Sequence, residues 1–320
     1  MALILREDDV RRLLKMPETI KVIGDAFAAL GDNKAANRPR VRIRQTNGVM
    51  NILPASIPSM GYMGHKTYTV FRSGMHFVVM LYSAQDGELL AIIEADWLSG
   101  IRAGATSALA TEYLARRDAT TVGMIGAGKQ AAMQLRGMCA VRPQITQVLV
   151  YSLHVHKCDY FCKQMSEELQ IDVRSASSAL EAIQDADIVI TATTASQPVF
   201  HGDFLRAGCH INAIGSNWPD RREIDQVTLQ HCDLIVSDSR DQALKEAGDL
   251  LIPAQAGQFD FNRVYDLAQI VAGTAPRRQS AHDITLYEGL GTAIEDIAAA
   301  GLAYSQAVEL GVGEDINLLS

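Results

Sequence analysis

A glycine-rich turn in the middle of the chain is the first candidate for a functional site. Its residues are Gly126-Ala127-Gly128-Lys129-Gln130-Ala131, which follow the apolar run 122–125 and open a helical pattern at 130–138. Glycines in this context let the backbone approach a pyrophosphate, whose charge then lies at the N-terminus of the helix. Ala131 takes the third glycine position and still allows close packing of helix on strand. The turn predicts a bound dinucleotide, and a tight turn in an unrelated parallel sheet is the alternative.

The residues after the second strand of such a unit distinguish NAD from NADP. An acidic residue there bonds the ribose hydroxyls of NAD, whereas a basic one accommodates the additional phosphate of NADP. The segment here is Tyr151-Ser152-Leu153-His154-Val155-His156-Lys157, without Asp or Glu. Ser152, His154 and Lys157 could hold a phosphate, so NADPH is slightly favoured over NADH, although a solvated loop would have the same composition. Thr193 is a further candidate, because ligands of doubly wound sheets bind at carboxyl strand ends.

Composition and charge argue against several classes of protein. The chain has 320 residues, 48% of them hydrophobic, which is sufficient for two domains with buried cores. The formal net charge of −8, without a Lys/Arg-rich block, argues against nucleic acid as a partner. Charges at 6–9 interrupt the N-terminus before a signal peptide could form, and no apolar stretch approaches the roughly 20 residues of a membrane span. We expect a cytoplasmic protein that does not bind membranes.

The cysteines are odd in number and scattered, which argues against a disulfide framework. They are Cys139, Cys158, Cys162, Cys209 and Cys232. His154, Cys158 and Cys162 have the spacing of one helix face, but the second ligand pair of a zinc site does not follow. The sequence therefore predicts free thiols and no metal.

Two kinds of pattern divide the chain. A helix pair at 7–31 precedes short strand-like runs at 38–94, which include a hairpin signal at Asp86-Gly87 and predict an antiparallel or mixed sheet. A helix at 96–115 follows. Strands at 121–125, 147–151, 188–191, 210–214 and 234–236 then alternate with helices at 130–141, 157–169 and 178–183 and a short turn near 204–207, before a long helix at 292–310. This alternation predicts a parallel sheet with crossover helices. The fold class is α/β, a doubly wound Rossmann domain with a smaller α+β domain.

Several stretches beyond the glycine turn resemble the ornithine cyclodeaminase and mu-crystallin family, in order and over nearly the whole chain. They are Gly64-His65-Lys66-Thr67-Tyr68, Ile101-Arg102-Ala103-Gly104-Ala105-Thr106-Ser107-Ala108, Ile211-Asn212-Ala213-Ile214-Gly215, Glu246-Ala247-Gly248-Asp249 and Asp283-Ile284-Thr285-Leu286. The resemblance implies a homodimer of two-domain protomers. Residues 1–117, completed by the C-terminal helix 292–320, would bind substrate and dimerise, and residues 118–291 would form the Rossmann domain. Family members move hydride between a nicotinamide and the alpha carbon of a small amino or imino acid.

The resemblance also assigns roles to individual residues. Arg102 would bind the substrate carboxylate, for which a bidentate, permanently charged guanidinium is suited. Lys66 would lie against the substrate and aid proton transfer. Thr106, Asn212 and Ile214 would contact the cofactor.

A second arginine is expected from the run Arg38-Pro39-Arg40-Val41-Arg42-Ile43-Arg44. Alternation in a strand would put its four arginines on one face. The sequence does not choose among them; Arg42 is favoured, with Arg44 next. These arginines, with Arg72 nearby in sequence, could hold a second carboxylate or could be solvated surface. His65 is a further candidate proton relay, since the pKa of histidine lies near neutrality, and a packed or solvent-facing histidine is the alternative.

One departure from the family pattern bears on the reaction. Cyclodeaminases and alanine dehydrogenases of the family resemble each other in an Asp two residues after the glycine of the Asn-Ala-Ile-Gly strand, and Asn217 stands there in this chain. Asn does not store a proton. The segment 219–223 is similar to the mu-crystallin ketimine reductases, which also lack that Asp. The prediction is an NAD(P)H-dependent reductase of a small ketimine acid, reversible as an amino-acid dehydrogenase, with Asn217 beside the substrate. The alternatives are a cyclodeaminase-type lyase with tightly bound NAD and a non-catalytic ligand-binding protein.

Overall fold

The secondary structure follows the periodicity of the sequence, and the computed structural model describes residues 2–318. The strands are β1 Ala2–Leu5, β2 Ala36–Asn37, β3 Val41–Gln45, β4 Gly48–Ile57, β5 Tyr62–Phe71, β6 Gly74–Ser83, β7 Leu89–Glu94, β8 Thr121–Ile125, β9 Gln147–Tyr151, β10 Asp172–Ser175, β11 Ile188–Thr191, β12 His210–Ala213, β13 Leu234–Ser237, β14 Val264–Asp266, β15 Thr285–Glu288 and β16 Glu314–Ile316. The helices are α1 Glu7–Leu13, α2 Met16–Gly31, α3 Asp96–Leu114, α4 Lys129–Val141, α5 Val155–Leu169, α6 Ala179–Ile183, α7 Gln226–His231, α8 Arg240–Glu246, α9 Gly248–Gln255, α10 Leu267–Ala272 and α11 Ala293–Leu310.

The chain divides into two compact units. The first comprises the residues up to Thr106 together with those from Gly291 onward, and the second is Ser107–Leu290. The first boundary thus falls inside α3, whereas the sequence prediction put it after residue 117. Residues 1, 319 and 320, which the predicted substrate-binding domain includes, lie outside the described residues. The roles of substrate binding and dimerisation stay predictions for the first unit.

The first unit contains a mixed sheet with the strand order β16-β1-β7-β6-β5-β4-β2, and β3 pairs with β4. Strands β1 and β7 run parallel to each other and the other described pairs of this sheet are antiparallel, so the predicted antiparallel or mixed sheet is confirmed. The Ala-rich helix α11 packs on one face of this sheet. A Cβ on Gly64 of β5 would lie 2.2 Å from the Met80 carbonyl oxygen and 3.1 Å from the Ile297 side chain. The close approach of helix and sheet therefore depends on a glycine in β5.

The second unit contains eight parallel strands in the order β10-β9-β8-β11-β12-β15-β13-β14. Strands β11, β12, β13 and β15 are buried at every residue, as expected for parallel strands that helices cover on both faces. The chain leaves β8 on one side for β9 and later returns on the other side as β11. This change of direction makes the carboxyl ends of β8 and β11 the switch point of a doubly wound sheet. The predicted fold class is confirmed.

The elements that the sequence predicted in the second unit have bounds within three residues of those observed. Strands β1, β10, β14, β15 and β16 and helices α7 to α10 were not predicted. The strand predicted at 210–214 ends at Ala213, and the turn predicted near 204–207 is a 3-10 turn at Gly202–Phe204. Within the described part of the chain, no helix has the length and hydropathy needed to span a bilayer. The cytoplasmic location stays a prediction.

The five cysteines are free. Cys158 and Cys162 are buried in α5, where burial raises the pKa of Cys162 to about 12, while His154 is exposed at the N-cap of that helix. Among residues 2–318, no group of three His, Cys, Asp or Glu side chains is arranged to hold a metal ion.

Candidate active site

The glycine turn connects β8 to α4 at the carboxyl edge of the parallel sheet. Gly126 has φ +112°, and its N–H donates to the Tyr151 carbonyl at 2.9 Å. A Cβ there would lie 2.4 Å from the Ala192 carbonyl oxygen, so this position requires glycine for both conformation and space. Gly128 is the N-cap of the 13-residue helix α4, and a Cβ on it would meet nothing within 4 Å.

The turn therefore has the two properties that a pyrophosphate needs. Gly128, Lys129 and Gln130 are exposed at the start of α4, whose amide groups and dipole favour an anion. Ala131 is fully buried and lets the first turn of the helix pack against the sheet. These residues fit a dinucleotide, which the chain would hold mainly through backbone N–H groups.

Thr193 lies beside the glycine turn, at the carboxyl end of β11. A Cβ on Gly126 would lie 3.3 Å from the Thr193 Cγ2 atom. The Thr193 N–H donates to Glu223 Oε1 at 2.6 Å, and its hydroxyl accepts the N–H of Ala195 at 3.1 Å. Two residues that the sequence predicted separately are thus neighbours at the switch point of the sheet.

The segment after β9 has no acidic side chain in the position that would bind a ribose. Ser152 accepts the N–H of His154 at 3.4 Å, and His154 is the exposed N-cap of α5. Leu153 is 83% exposed between them. The segment leaves an open surface without a negative charge at a helix N-terminus, which is compatible with a 2′-phosphate as well as with a ribose hydroxyl.

Three further predicted residues lie on or after β12. Asn212 is fully buried, and its Nδ2 donates to the Thr111 hydroxyl at 3.0 Å, so its side chain is held in the interior of the second unit. Ile214 is half-buried just beyond the strand. Its side chain packs against Gly289, where a Cβ would lie 2.7 Å from the Ile214 Cδ1 atom. Asn217 is half-buried in the loop that follows.

In the first unit, Lys66 and Arg102 lie in one buried group of charges. Lys66 Nζ donates to Asp296 Oδ1 at 2.8 Å, and Arg102 Nε approaches the same oxygen at 2.9 Å. Arg102 Nη1 also donates to Glu295 Oε2 at 2.7 Å, an oxygen that further accepts the Thr106 hydroxyl at 2.9 Å. The two residues are 36 positions apart in sequence, and the first turn of α11 brings them together.

The first turn of α11 is itself held in place by a capping box. Thr292 is the N-cap residue, and both its N–H and its hydroxyl donate to Glu295 Oε1, at 2.9 and 2.7 Å. Glu295 therefore uses one oxygen for the cap and the other for Arg102 and Thr106. Thr106, predicted as a cofactor contact, is buried and engaged within this group of the first unit.

Arg40, rather than Arg42 or Arg44, is the arginine of the 38–44 run that belongs to this group. Arg40 is 9% exposed, and its Nη2 donates to the Gly291 carbonyl at 3.0 Å. Its guanidinium and the Lys66 ammonium both lie over the Tyr68 ring, 5.8 and 5.7 Å from the ring centre. We name Arg40, Lys66, Arg102, Glu295 and Asp296 the buried ion cluster.

The other arginines of the run have different surroundings. Arg42 is half-buried and its Nε donates to Asn51 Oδ1 at 3.2 Å, whereas Arg44 is exposed opposite Val49. Arg38 lines a surface groove with His65. The expectation that all four share one face is wrong for Arg38, because the strand begins only at Val41, whereas Arg42 and Arg44 lie at alternate positions on one face of β3. Arg72, considered for a second carboxylate, is exposed in the turn between β5 and β6.

His65 does not lie with Lys66, although the two are adjacent in sequence. Successive strand residues point to opposite faces. Lys66 faces α11, whereas His65 stacks on Tyr82, 6.4 Å between ring centres, in a groove of about 530 Å³ that Arg38 and Ser56 also line. Partial burial lowers the pKa of His65. The geometry therefore gives no support to His65 as a proton relay for Lys66.

The buried ion cluster changes the acidity of its lysine. Burial lowers the pKa of Lys66 to about 8, with a further lowering from the charge of Arg102, while Asp296 acts in the opposite direction through its charge and hydrogen bond. An ammonium group with this pKa can give up a proton and regain it near neutral pH. The second oxygen of Asp296, Oδ2, is buried and has no hydrogen-bond partner among the described residues.

Sequence reasoning missed Glu295 and Asp296 and did not select Arg40. A signal for the two acids exists, since Glu295-Asp296 interrupts the otherwise apolar run 293–303. Adjacent carboxylates in an apolar helix are costly to bury unless cations meet them. No comparable sequence feature distinguishes Arg40 from the other arginines of the 38–44 run.

Comparisons with known proteins identify relatives of the chain. A sequence model of the ornithine cyclodeaminase/mu-crystallin family matches residues 1–311. A Delta(1)-pyrroline-2-carboxylate reductase of Bacillus cereus is 35% identical, over 98% of this chain and 99% of its own length. The ketimine reductase mu-crystallin of Macropus fuliginosus is 29% identical, over 94% of this chain and 96% of its own length.

A solved structure is also similar over the whole chain. It is the Thermococcus litoralis Delta(1)-pyrroline-2-carboxylate reductase in complex with NADH and L-proline, with a TM-score of 0.94 and 36% identity. The similarity covers 98% of this chain and 100% of that chain.

Proposed function

The chain belongs to the ornithine cyclodeaminase/mu-crystallin family, and on this premise we propose that it is an NAD(P)H-dependent reductase of a small ketimine acid, which also runs in reverse as an amino-acid dehydrogenase. The observation that carries the proposal is the buried ion cluster, in which a lysine with a pKa of about 8 lies beside two arginines. The similar Thermococcus litoralis enzyme binds L-proline, a small amino acid with a single carboxylate.

The charges of the cluster suit a substrate with one carboxylate. Lys66, Arg102 and Arg40 are cationic, and Glu295 and Asp296 are anionic, so the cluster carries one positive charge in excess when all five are ionised. A buried excess charge is costly, and an anionic ligand would neutralise it. We assign the carboxylate of the substrate to Arg102 and Arg40, because planar guanidinium groups match its geometry.

The reduction adds a hydride to the imine carbon and a proton to the imine nitrogen. The reduced nicotinamide, when bound, supplies the hydride. The Lys66 ammonium hydrogen-bonds to the imine nitrogen and supplies the proton, and its pKa of about 8 allows it to be protonated again from solvent. Asp296 Oδ1 holds the ammonium in place, and its unpartnered Oδ2 can accept an N–H of the product amine. Asn217 would contact the substrate without acting as a base.

We propose that the second unit binds the dinucleotide. Gly126, Ala127, Gly128, Lys129, Gln130 and Ala131 would hold the pyrophosphate, and Thr193 and Ile214 would line the adjoining edge. We further propose that the protein prefers NADPH to NADH, and that Ser152, His154 and the first N–H groups of α5 surround the 2′-phosphate. The absence of an acidic side chain at 152–157 supports this preference.

We also propose that the protein is a homodimer. The face of the first-unit sheet opposite α11 presents exposed apolar side chains, among them Val41 at 54% and Ile43 at 45%. Exposed apolar patches of this kind are typical of protein interfaces. Sedimentation of the wild-type protein and of Ile43→Glu tests this: a dimer that the substitution weakens is expected, and a monomeric wild type would contradict the proposal.

The activity is tested with purified protein, NADH or NADPH, and a panel of cyclic imino acids and of 2-oxo acids mixed with ammonia or methylamine. Substrate-dependent loss of nicotinamide absorbance is the expected result. Ammonia release from ornithine without net change of the cofactor would identify a lyase instead. Cofactor binding without turnover on any member of the panel would identify a ligand-binding protein and overturn the proposal.

A further inference from the structure

The Glu223 side chain joins two loops at the carboxyl edge of the parallel sheet. It is fully buried, and its two carboxylate oxygens accept different backbone N–H groups. Oε1 accepts the N–H of Thr193 at 2.6 Å, and Oε2 accepts the N–H of Gly215 at 2.7 Å. Thr193 follows β11 and Gly215 follows β12, so one carboxylate links the loops after two neighbouring strands.

The position of this carboxylate depends on a glycine. A Cβ on Gly215 would lie 2.4 Å from the Glu223 carboxyl group, so any other residue would displace this carboxylate. Burial raises the pKa of Glu223, and the two N–H groups act in the opposite direction because they favour the carboxylate. Hydrogen bonds to a charged acceptor are stronger than neutral ones.

Asp249 holds Glu223 from the other side. Its Oδ1 accepts the backbone N–H groups of Glu223 and Ile224, both at 2.7 Å. The preceding residue, Gly248, has no room for a Cβ, which would lie 2.0 Å from the Arg221 carbonyl oxygen. The motif Glu246-Ala247-Gly248-Asp249 thus brings the start of α9 against the segment that carries Glu223.

The linked loops adjoin the proposed cofactor site. Thr193 is the residue whose side chain lies beside Gly126 of the glycine turn. Gly215 precedes Asn217 in a loop whose two ends, 215 and 223, are joined by this one side chain. A displacement of the Glu223 carboxylate would therefore release both loops next to the glycine turn.

We propose that Glu223, held by Asp249, is a positioning residue that fixes the loops after β11 and β12 in the conformation that binds the dinucleotide. This inference rests on the proposed function, because it assumes that the edge at Gly126 binds the cofactor. Glu223 touches neither the hydride nor the substrate. It acts through Thr193 and Gly215.

The test compares Glu223→Gln with Glu288→Gln by hydrogen–deuterium exchange and by titration of NADH and NADPH. Gln accepts only one of the two N–H groups and turns a donor toward the other. Exchange at Thr193 and Gly215 should be at least about tenfold faster in Glu223→Gln, and cofactor affinity should fall by roughly tenfold. With saturating cofactor, kcat should stay within about threefold of wild type, because the loss lies in binding.

Glu288 is the control for the loss of a neighbouring buried acid. It is equally buried at the end of β15 and interacts with Glu223 and Asp249 through its charge, but neither of its carboxylate oxygens has a hydrogen-bond partner among the described residues. Glu288→Gln should leave exchange at the two loops and the cofactor affinity unchanged. Asp249→Asn keeps an acceptor oxygen for both N–H groups and should retain cofactor binding, whereas Asp249→Ala should weaken it.

Unchanged exchange at Thr193 and Gly215 in Glu223→Gln, or equal loss of affinity in Glu288→Gln, would overturn the inference. A wild-type protein that bound neither dinucleotide would instead overturn the proposed function. In that case the exchange measurement would still decide whether Glu223 holds the two loops. Cooperative thermal unfolding of each variant verifies that it is folded.

Discussion

The ammonium of Lys66 lies 2.8 Å from Oδ1 of Asp296, and both side chains are almost completely buried, at 2% and 0% exposure. Arg102 approaches the same oxygen at 2.9 Å. One carboxylate oxygen is therefore shared by two cations, which are drawn together in a region of low dielectric. This arrangement explains why the lysine is acidic, because the repulsion of Arg102 adds to the effect of burial and Asp296 compensates only in part.

The reductase activity should depend on the protonated form of Lys66. Since its pKa is about 8, kcat/KM for imine reduction should be highest below that pH and should fall about tenfold per pH unit above it. A pH–rate profile in the reductive direction measures this. Replacement of the exposed Lys21 by Ala is the control and should leave the profile unchanged. A flat profile across the region above pH 8 would show that Lys66 is not the proton donor.

Asp296→Asn should shift this profile toward lower pH. Asp296 raises the pKa of Lys66 through its charge and its hydrogen bond, so loss of the charge allows that pKa to fall below about 8. At neutral pH the variant should lose roughly 10- to 100-fold in kcat/KM. Glu309→Gln removes an exposed carboxylate from the same helix and should have no such effect. A profile with the wild-type midpoint would contradict the role given to Asp296.

Arg40 should contribute more to substrate binding than Arg44. Arg40→Lys keeps the charge but loses the planar guanidinium, and we expect KM for the imino acid to rise at least about tenfold. Arg44→Lys is the matched control in the same run, and it should change KM less than about threefold because Arg44 is exposed. Steady-state kinetics at saturating cofactor measure both. Equal effects of the two substitutions on KM would contradict the assignment of Arg40 to the substrate carboxylate.

Leu153→Asp should shift the cofactor preference toward NADH. Leu153 is 83% exposed after β9, where a carboxylate would meet the ribose hydroxyls of NAD and would repel the 2′-phosphate of NADP. The ratio of kcat/KM for NADPH to that for NADH should fall by about tenfold or more. Leu153→Asn, of similar size but neutral, distinguishes charge from shape. An unchanged ratio in Leu153→Asp would mean that the segment 152–157 does not contact the adenosine ribose.

The stability of the protein should fall as pH rises between about 4 and 7, with a contribution from Asp249. Burial, together with the charge of Glu223, raises the pKa of Asp249 to about 7, whereas the same group in the unfolded chain titrates near its ordinary value of 3.8. The folded state thus binds more protons in this interval, and its free energy of unfolding decreases with pH.

Asp249→Asn should flatten this dependence, because the amide does not titrate. Urea unfolding at several pH values measures the slope. Asp220→Asn, an exposed residue of the neighbouring loop, should keep the slope of the wild type. A wild-type slope in Asp249→Asn would show that other groups cause the dependence.

Five of the eight strands of the parallel sheet could be predicted, because they are apolar runs separated by helical patterns, whereas the short strands β10, β14 and β15 were not predicted. Strand β8 and strand β9 have the predicted bounds, and the glycine turn lies where the sequence indicated. Such elements depend on local periodicity, which a single sequence shows directly. Lys66 and Arg102 were found through motifs rather than through periodicity.

The partners of these two residues could not be predicted in the same way. Lys66 and Asp296 are 230 positions apart, and Arg102 and Glu295 are 193 positions apart. Their contacts exist only because α11 returns to the sheet of the first unit, and periodicity within one segment does not show such long-range contacts. His65 is a different case, since strand alternation itself separates it from Lys66 once β5 is recognised as one continuous strand.

In the proposed reaction, hydride passes from the nicotinamide to the alpha carbon of a ketimine acid. This transfer is tested most directly with a reduced cofactor that carries deuterium at both C4 positions, a cyclic imino acid and mass spectrometry of the amino acid formed. We predict a product that contains one deuterium at the alpha carbon and whose formation is lost in Lys66→Ala and Arg102→Ala. An amino acid formed without deuterium, or full activity in both variants, would contradict this reaction and the roles of Lys66 and Arg102.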